Sequence, residues 1–269
     1  MPGTPLMRIL SALSSLLLAG AALAQSSDCK PKSSDAQTVQ FAYALQYLSE
    51  RFWSSQPLNQ TFLKDATNAS RANYEANFKG ITRENRLGIR AVQQVGNDVS
   101  GFSAPKCNFT FPSSKDADSF IKNALKIEQT VAGGLIGLSA YTQAPEVSFL
   151  LARLAAQHSS QAAYIGSETN STYFPSNSTS LFPAYTPDEI LKSGNQTGQL
   201  GTYFKNCVSA PSGPCGQKVN IGPLVATLNS TGAGGGGGGA SSSASPSSSG
   251  ASSTASSTST SSSRKRKYY

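Results

Sequence analysis

The sequence predicts an all-α fold, a bundle of four long helices followed by a short additional C-terminal helix. Two observations predict it. Between residues 34 and 231, hydrophobic side chains recur at the period of a helix, and no helical segment follows a convincing strand-like alternation of apolar and polar residues. The chain has 269 residues, of which 38% are hydrophobic, so it is long enough to bury a core. We therefore expect one helical domain over residues 35–228.

The first two helices are predicted from apolar stripes. The first, from about Ala36 to Ser54, has apolar residues at i, i+4, i+7 and i+11. The second runs from about Thr82 to Asp98. The residues expected on the two buried faces are Phe41, Leu45, Leu48 and Phe52 in the first helix, and Leu87, Ala91 and Val95 in the second.

The remaining helices follow from composition and capping. A third helix from Lys115 to about Thr142 is apolar on most sides, and its glycines would let a neighbouring backbone approach closely. Pro145 suits the first turn of a fourth helix from Glu146 to Ile165. Thr186 followed by Pro187 is typical of an N-cap and first position, and predicts the short fifth helix. The glycines in question are Gly133, Gly134 and Gly137.

Residues 1–24 have the order of a secretory signal peptide. Arg8 precedes an apolar run from Leu10 to Ala22, and the small residues that follow predict cleavage before Gln25. A transmembrane anchor is the alternative, but the run is shorter than the ~20 residues that span a bilayer. We therefore expect a secreted protein, extracellular or cell-wall associated, with no membrane span.

Seven N-x-[ST] sequons agree with export, since none has proline in the middle position. They predict an N-glycosylated protein of a eukaryotic secretory pathway. The candidate sites are Asn59, Asn68, Asn108, Asn170, Asn177, Asn195 and Asn229.

The four cysteines are an even number, and disulfides are expected in an oxidising compartment. Three pairings are possible. We favour Cys207 with Cys215, because the segment between them contains Pro211, Gly213 and Pro214 and can turn tightly; this leaves Cys29 with Cys107. Zinc binding is the less favoured alternative, because no C-x-x-C pair occurs.

The C-terminal region changes character at residue 232. Residues 232–263 contain six consecutive glycines and then consist almost entirely of serine, alanine and threonine, which predicts a disordered stalk. Residues 264–269 form a basic end without the hydrophobic tail of a lipid-anchor signal.

Charge and histidine content exclude two classes of function. The net charge is +8, but five of the 22 basic residues are Arg8 and the cluster from Arg264 to Lys267. The rest of the chain is only weakly basic, which does not indicate a nucleic-acid-binding protein. The single histidine excludes any site with several histidines.

Four segments of the sequence are similar to a known family: FAYALQYLSERFW at 41–53, GLSAY at 137–141, LA at 151–152 followed by His158, and TPDEI at 186–190 leading to the Pro-rich turn between Cys207 and Cys215. They resemble the ferritin-like domain of secreted fungal stress-response and sexual-development proteins, which is related to plant desiccation-related proteins. The resemblance spans most of residues 35–228. It implies a ferritin-like four-helix bundle.

Di-iron bundles of this kind take a lone glutamate from two helices and Glu-x-x-His from the other two. The resemblance implies that most of these positions have lost their ligands. Of the expected types only Glu84 and His158 remain, and Glu128 stands six residues out of register. The residues at the other positions are Gln46, Tyr47 and Ser49 in the first helix, and Leu87, Gly134 and Ala155 in the other three.

Two ligands cannot balance the charge of two buried iron ions, so we expect no metal, no cofactor and no catalytic residue. One alternative is a mononuclear metal site formed by Glu84, His158 and water. Otherwise His158 is a buried polar residue that hydrogen-bonds Glu84, Gln46 or water. Ser139 is not expected to be a nucleophile, because its motif lies inside a helix rather than on a strand-to-helix turn.

The resemblance implies a role in stress or development, at the fungal cell surface or outside the cell and without catalytic turnover. A residual metal-binding protein is one alternative. A cell-wall adhesion module is another, with the Ser-rich stalk as spacer and a wall polysaccharide or a protein as its partner.

Overall fold

The structure is a computed structural model that describes residues 31–111, 114–174, 181–222 and 226–229. The predicted signal peptide, Cys29, the Asn177 sequon, the Ser-rich stalk and the basic C-terminal end lie outside the described residues. Within them the all-α prediction is confirmed, since a single two-stranded sheet accompanies the helices.

Eight α-helices and two strands form the described part of the chain. Their bounds are Ala36–Trp53 (α1), Gln60–Leu63 (α2), Ala69–Ala72 (α3), Tyr74–Asn97 (α4), Ala117–Leu138 (α5), Pro145–Thr169 (α6), Pro187–Ile190 (α7), Gly201–Phe204 (α8), Lys218–Ile221 (β1) and Ala226–Asn229 (β2). Short 3-10 turns occupy Ser33–Asp35, Ser139–Tyr141 and Pro214–Gly216.

The four long helices, α1, α4, α5 and α6, form the bundle. Helix α1 packs against α4 and α5, and α6 packs against the same two helices. Contacts at the two ends of α1 show its direction: Thr38 Oγ1 donates to the carbonyl of Tyr141 at 3.1 Å, whereas the ring of Phe52 stacks on Phe120 at 4.8 Å. Helices α1 and α5 are therefore antiparallel.

Helix α4 is also antiparallel to α1, because Gln46 contacts Asn85 while Trp53 contacts Phe78. Helices α4 and α5 consequently run in the same direction. A long crossover over residues 98–116 connects them along the bundle. One long crossover is the connectivity of ferritin-like bundles.

The buried face of α4 differs from the expected one. The helix begins at Tyr74 rather than near Thr82, and the predicted stripe residue Leu87 is 60% exposed. The buried stripe lies one position away, at Tyr74, Phe78, Ile81, Asn85, Gly88, Val92 and Gly96. Asn85 and the two glycines carry no hydrophobic signal, so the sequence pattern favoured the wrong face.

The glycines of α5 permit the close backbone approach expected from the sequence. A Cβ atom on Gly137 would lie 1.9 Å from the carbonyl oxygen of Tyr185, and one on Gly133 would lie 2.2 Å from that of Pro183. The amide of Tyr185 donates to the carbonyl of Gly133 at 3.0 Å. This contact leads the chain into α7.

The start of α7 confirms the predicted cap. The Thr186 hydroxyl accepts a hydrogen bond from the amide of Glu189 at 3.2 Å, and Pro187 is the first helical residue. The Glu189 carboxylate in turn accepts from the amide of Thr186 at 2.7 Å. The two bonds form a capping box.

The disulfide prediction is wrong. Cys107 in the crossover is bonded to Cys207, with a Cα–Cα distance of 5.2 Å, so neither Cys207–Cys215 nor Cys29–Cys107 can form in this structure. The cause is aromatic packing. The ring of Phe204 in α8 lies 6.1 Å from that of Phe41 and 6.0 Å from that of Phe109, which brings the turn after α8 against the crossover.

No helix in the described part of the chain is both long enough and apolar enough to cross a bilayer.

Candidate functional site

Polar side chains from all four long helices meet in the middle of the bundle. Five of them have no solvent-exposed surface and are connected by hydrogen bonds; we call this set the polar ring. Its members are Gln46 and Ser49 on α1, Asn85 on α4, Glu128 on α5 and His158 on α6.

Glu128 is the main acceptor of the polar ring. Its Oε1 accepts hydrogen bonds from Ser49 Oγ at 2.7 Å and from Trp53 Nε1 at 2.5 Å. Its Oε2 is hydrogen-bonded to His158 Nδ1. Both carboxylate oxygens therefore have partners, as a buried carboxylate requires.

The protonation of His158 follows from its second partner. Its Nε2 lies 2.9 Å from Gln46 Oε1. The amide of Gln46 is oriented by its other end, because Gln46 Nε2 donates at 3.2 Å to the backbone carbonyl of Asn85, which can only accept. Oxygen Oε1 must therefore accept, and His158 Nε2 must carry a proton.

One proton is then shared between His158 Nδ1 and Glu128 Oε2. The pair is either imidazolium with carboxylate or neutral imidazole with carboxylic acid, and its net charge is zero in both cases. A neutral pair can be buried at far lower cost than an isolated charge.

Asn85 closes the ring. Its Nδ2 donates to Ser49 Oγ at 2.8 Å, and its Oδ1 accepts from Gln157 Nε2 of α6 at 3.0 Å. The hydrogen bonds thus run from Asn85 through Ser49, Glu128, His158 and Gln46 back to the Asn85 carbonyl. Among the described residues, Gln161 Oε1 is the one buried side-chain oxygen or nitrogen without a partner, and it lies outside the ring.

The alternative metal site of Glu84 and His158 does not form, because the two side chains bond to other partners. Glu84 is exposed on α4, and its Oε2 accepts from Gln161 Nε2 at 2.9 Å. His158 contacts Gln46, as one of the sequence hypotheses expected, and Glu128, which none of them expected. The one-position error in the face of α4 explains why Glu84 was selected instead of Asn85.

The inward positions of α4 are therefore Asn85 and Gly88, which have the i, i+3 spacing of Glu-x-x-His. A Cβ atom on Gly88 would lie 2.6 Å from Gln46 Cδ and 2.8 Å from Gln46 Nε2. The amide of Gln46 thus fills the space that a larger residue at position 88 would need.

The α5 position was also misassigned. A Cβ atom on Gly134 would lie 3.2 Å from both Leu45 Cδ1 and Ile190 Cδ1, so this glycine packs against apolar side chains and not in the polar ring. Glu128 is the inward carboxylate, although counting along the sequence placed it out of register. It is the only acidic residue of α5 after Asp118, in a stretch that is otherwise largely apolar, and that isolation was the available signal.

The residues of the polar ring do not fit a pair of metal ions. Every oxygen of Glu128 and both nitrogens of His158 already have protein partners, and the other three members are uncharged. A buried pair of divalent ions needs several carboxylates to offset its charge. Nowhere in the described ranges do three or more histidine, cysteine, aspartate or glutamate side chains come together in a metal-binding arrangement.

A four-helix bundle with one long crossover and polar residues from all four helices at its centre has the architecture of the di-metal carboxylate bundles. A family model described as a ferritin-like domain matches residues 34–171, about half of the chain. The chain therefore belongs to the ferritin-like domain family. Neither the curated proteins nor the solved structures contain a significant match.

Proposed function

We propose that this chain is an exported, N-glycosylated ferritin-like protein that acts outside the cell or at its surface without catalytic turnover. The observation that carries the non-catalytic part of the proposal is the polar ring. Its hydrogen bonds use the groups that would otherwise bind metal, and this supports a bundle that works without metal chemistry at its centre.

The surface of the bundle supports the glycosylation part of the proposal. Five of the seven sequon asparagines lie in parts of the chain where their burial is described, and all five are exposed. Asn59 caps α2 through Oδ1, which accepts from the amide of Phe62 at 3.0 Å and leaves Nδ2 available for a glycan. The five are Asn59, Asn68, Asn108, Asn170 and Asn195.

The Cys107–Cys207 disulfide supports the proposed compartment, because such bonds persist in oxidising surroundings. The role in stress or development rests on the resemblance to secreted fungal proteins. A strain that lacks the protein should be compared with its parent under desiccation and heat and during sexual development. Identical behaviour of the two strains would count against this role.

Metal content tests the central claim. The protein should be purified without chelator and its metals counted by elemental analysis. We expect less than one equivalent of any transition metal per chain and a melting temperature that a chelator does not change. About two irons per chain, lost together with stability on chelation, would show that the interior binds metal after all.

Export is tested by expressing the full chain in a eukaryotic host and sequencing the N-terminus of the product. We expect cleavage before Gln25 and a fall in apparent mass after treatment with peptide N-glycosidase. An unprocessed, intracellular product would contradict the proposal. Fractionation of the cell wall and medium would separate a wall-attached protein, with a polysaccharide or protein partner, from a freely diffusing one.

A further inference from the structure

The large hydrophobic side chains that are exposed among the described residues are concentrated on one face of the bundle. There are four of them, and three, Leu87, Ile136 and Phe149, lie on or beside the first half of α6. Phe149 belongs to α6 itself and is 68% exposed. The fourth, Phe174, lies beyond the other end of α6. Single exposed apolar residues need no explanation, but a group of them marks an interaction surface.

Two clefts flank the exposed side of α6. Leu87 of α4 and Leu150 of α6 line the first, which has a volume of about 540 Å³. Ile136 of α5 and Ala152 of α6 line the second, of about 370 Å³. Ala156 of α6 lines both clefts. The exposed side of α6 therefore has apolar side chains to its left and right, and small residues that let another helix approach.

Two opposite charges flank Phe149 along α6. Glu146 lies three residues before it and Arg153 four residues after it, and both side chains are exposed. The two charged residues are two helical turns apart, so they lie on the same side of α6, about 10 Å from each other along its axis. Neither side chain has an ion-pair partner among the described residues. An exposed aromatic ring thus has a negative charge on one side and a positive charge at nearly the same distance on the other.

This arrangement is complementary to a second copy of itself in the reverse direction. If two α6 helices pack antiparallel about a two-fold axis at Phe149, each residue before the axis faces the residue equally far after it in the other copy. Glu146 then lies opposite the partner's Arg153, and the symmetry forms this pair twice. The two Phe149 rings meet at the centre, where aromatic residues contribute most to the binding energy of an interface.

The candidate glycosylation sites leave this part of α6 open. Neither α4 nor α6 contains a sequon. Asn170 directly follows α6, but it lies about 30 Å from Phe149 along the helix. A glycan on Asn170 would therefore be attached at the opposite end of α6 from Glu146 and Phe149.

We propose that the exposed side of α6 is the interface of a homodimer. Two copies pack α6 antiparallel, with Phe149 at the two-fold axis and Glu146 paired with the partner's Arg153. A second copy is the partner that the charges favour, because one chain supplies both members of the ion pair. The same surface is present whether or not the chain is exported, so the dimer does not depend on the function proposed above.

Analytical ultracentrifugation of the full chain over a range of concentrations tests the dimer. We expect a reversible equilibrium between monomer and dimer. F149S removes the central aromatic ring and should raise the Kd about tenfold or more. F174S is the matched control, because Phe174 is 69% exposed but lies outside the proposed interface. It should leave the Kd unchanged.

Exchange of the two charges tests the antiparallel arrangement. R153E places a second carboxylate opposite the partner's Glu146, and the repulsion should raise the Kd about tenfold. The double variant E146R/R153E restores opposite charges and should return the Kd close to that of the unmodified chain. R83E makes the same charge change at an exposed arginine of α4 outside the interface and should have no effect. Circular dichroism checks that each variant is folded.

Four results would overturn the proposal. The first is a chain that stays monomeric at every concentration, and the second is a dimer that F149S or R153E leaves unchanged. The third is a folded E146R/R153E variant that associates no better than R153E. The fourth is a dimer that persists on a non-reducing denaturing gel, because a disulfide would then hold the two copies together.

Discussion

His158 Nδ1 and Glu128 Oε2 are hydrogen-bonded to each other at the centre of the bundle, where neither side chain is exposed to solvent. The other nitrogen of the same imidazole donates to Gln46, so only one proton remains for the bond between the two residues. The bond joins α5 to α6, and Gln46 and Ser49 extend it to α1. The pair and its two partners therefore connect three helices, α1, α5 and α6.

Replacement of Glu128 tests whether shape and hydrogen bonding, rather than charge, hold the ring. In E128Q the new amide can accept from Ser49 and Trp53 through its oxygen and donate to Nδ1 of a neutral His158. We expect a loss of at most ~1 kcal/mol in the free energy of unfolding, since every buried group keeps a partner. E128A leaves Ser49, Trp53 and His158 without their shared partner and should cost about 3–5 kcal/mol. Urea unfolding measures both values.

Glu50 on α1, a buried glutamate outside the polar ring, is the matched control. Its Oε1 accepts from Ser54 Oγ at 2.9 Å and from Arg86 Nε at 3.2 Å, and the side chain of Arg86 is 58% exposed. E50A should cost about 1 kcal/mol or less, as for other ion pairs with an exposed partner. Equal losses for E128A and E50A would contradict a special role for the polar ring, and so would a loss in E128Q as large as that in E128A.

The sequence predicted the bundle well because most helix faces carry an apolar stripe. Phe41, Leu45, Leu48 and Phe52 are all buried, as the spacing in α1 required. Pro145 and the Thr186 cap were also placed correctly, since both signals are local. Capping interactions form within one turn of a helix, so they can be predicted without knowing how the rest of the chain folds.

The interior of the site could not be predicted in the same way. On α4 the inward residues at the polar ring are Asn85 and Gly88, which carry no hydrophobic signal. The apolar pattern therefore placed the neighbouring residue Leu87 on the buried face, although it is exposed. On α5 the position of Glu128 depends on how α5 lies against α1, which the spacing of residues along the sequence does not capture. The Cys107–Cys207 bond likewise depends on aromatic contacts between segments about 100 residues apart.

The Cys107–Cys207 bond is expected to contribute measurably to stability. It closes a loop with a sequence separation of 100, which restricts the unfolded chain strongly. The double variant C107A/C207A should lose about 2–5 kcal/mol in the free energy of unfolding, measured by urea titration. An unchanged urea midpoint, with native circular dichroism, would show that the crossover is held by its aromatic contacts alone.

Alkaline pH should destabilise the bundle through buried tyrosines. Burial, followed by the charges of nearby tyrosine and carboxylate groups, raises the pKa of Tyr74 to about 12 from its ordinary value of 10.0. Burial and the carboxylates of Asp188 and Glu189 raise the pKa of Tyr141 to about 12 as well. The unfolded chain releases these protons first, so the contribution to stability is complete below about pH 10 and is lost as the pH rises toward about 12.

The variant Y74F isolates the contribution of Tyr74. It keeps the ring that stacks on Phe78 at 5.0 Å and removes the hydroxyl that donates to the carbonyl of Thr67 at 3.0 Å. At neutral pH we expect a constant loss of about 0.5–1.5 kcal/mol. Between about pH 10 and about pH 12 the stability of Y74F should fall less steeply than that of the unmodified chain. Parallel curves for the two proteins would exclude Tyr74 as a source of the alkaline loss.

Alanine substitutions at two glycines of α4 should change the stability in opposite directions. An ideal Cβ atom on Gly80 meets no atom within 4 Å, so G80A should stabilise the protein by roughly 0.4–1 kcal/mol by reducing the freedom of the unfolded chain. A Cβ atom on Gly88 would lie 2.6–2.9 Å from the amide atoms of Gln46. That amide is held by His158 and by the Asn85 carbonyl, so it cannot withdraw without breaking the polar ring. G88A should therefore cost about 1–3 kcal/mol, as overpacking does in other cores.

The double variant Q46A/G88A tests whether contact with the Gln46 side chain causes the loss of stability in G88A. Without the Gln46 side chain, the new methyl group at position 88 enters space that the truncation has vacated, so its own cost should largely disappear. The loss in the double variant should then be smaller than the sum of the two single losses by at least ~0.5 kcal/mol, the scale on which neighbouring residues couple. G80A combined with Q46A serves as the additive reference, because Gly80 has no contact with that side chain. If Q46A/G88A is as additive as Q46A/G80A, then Gln46 does not fill the inward position of α4.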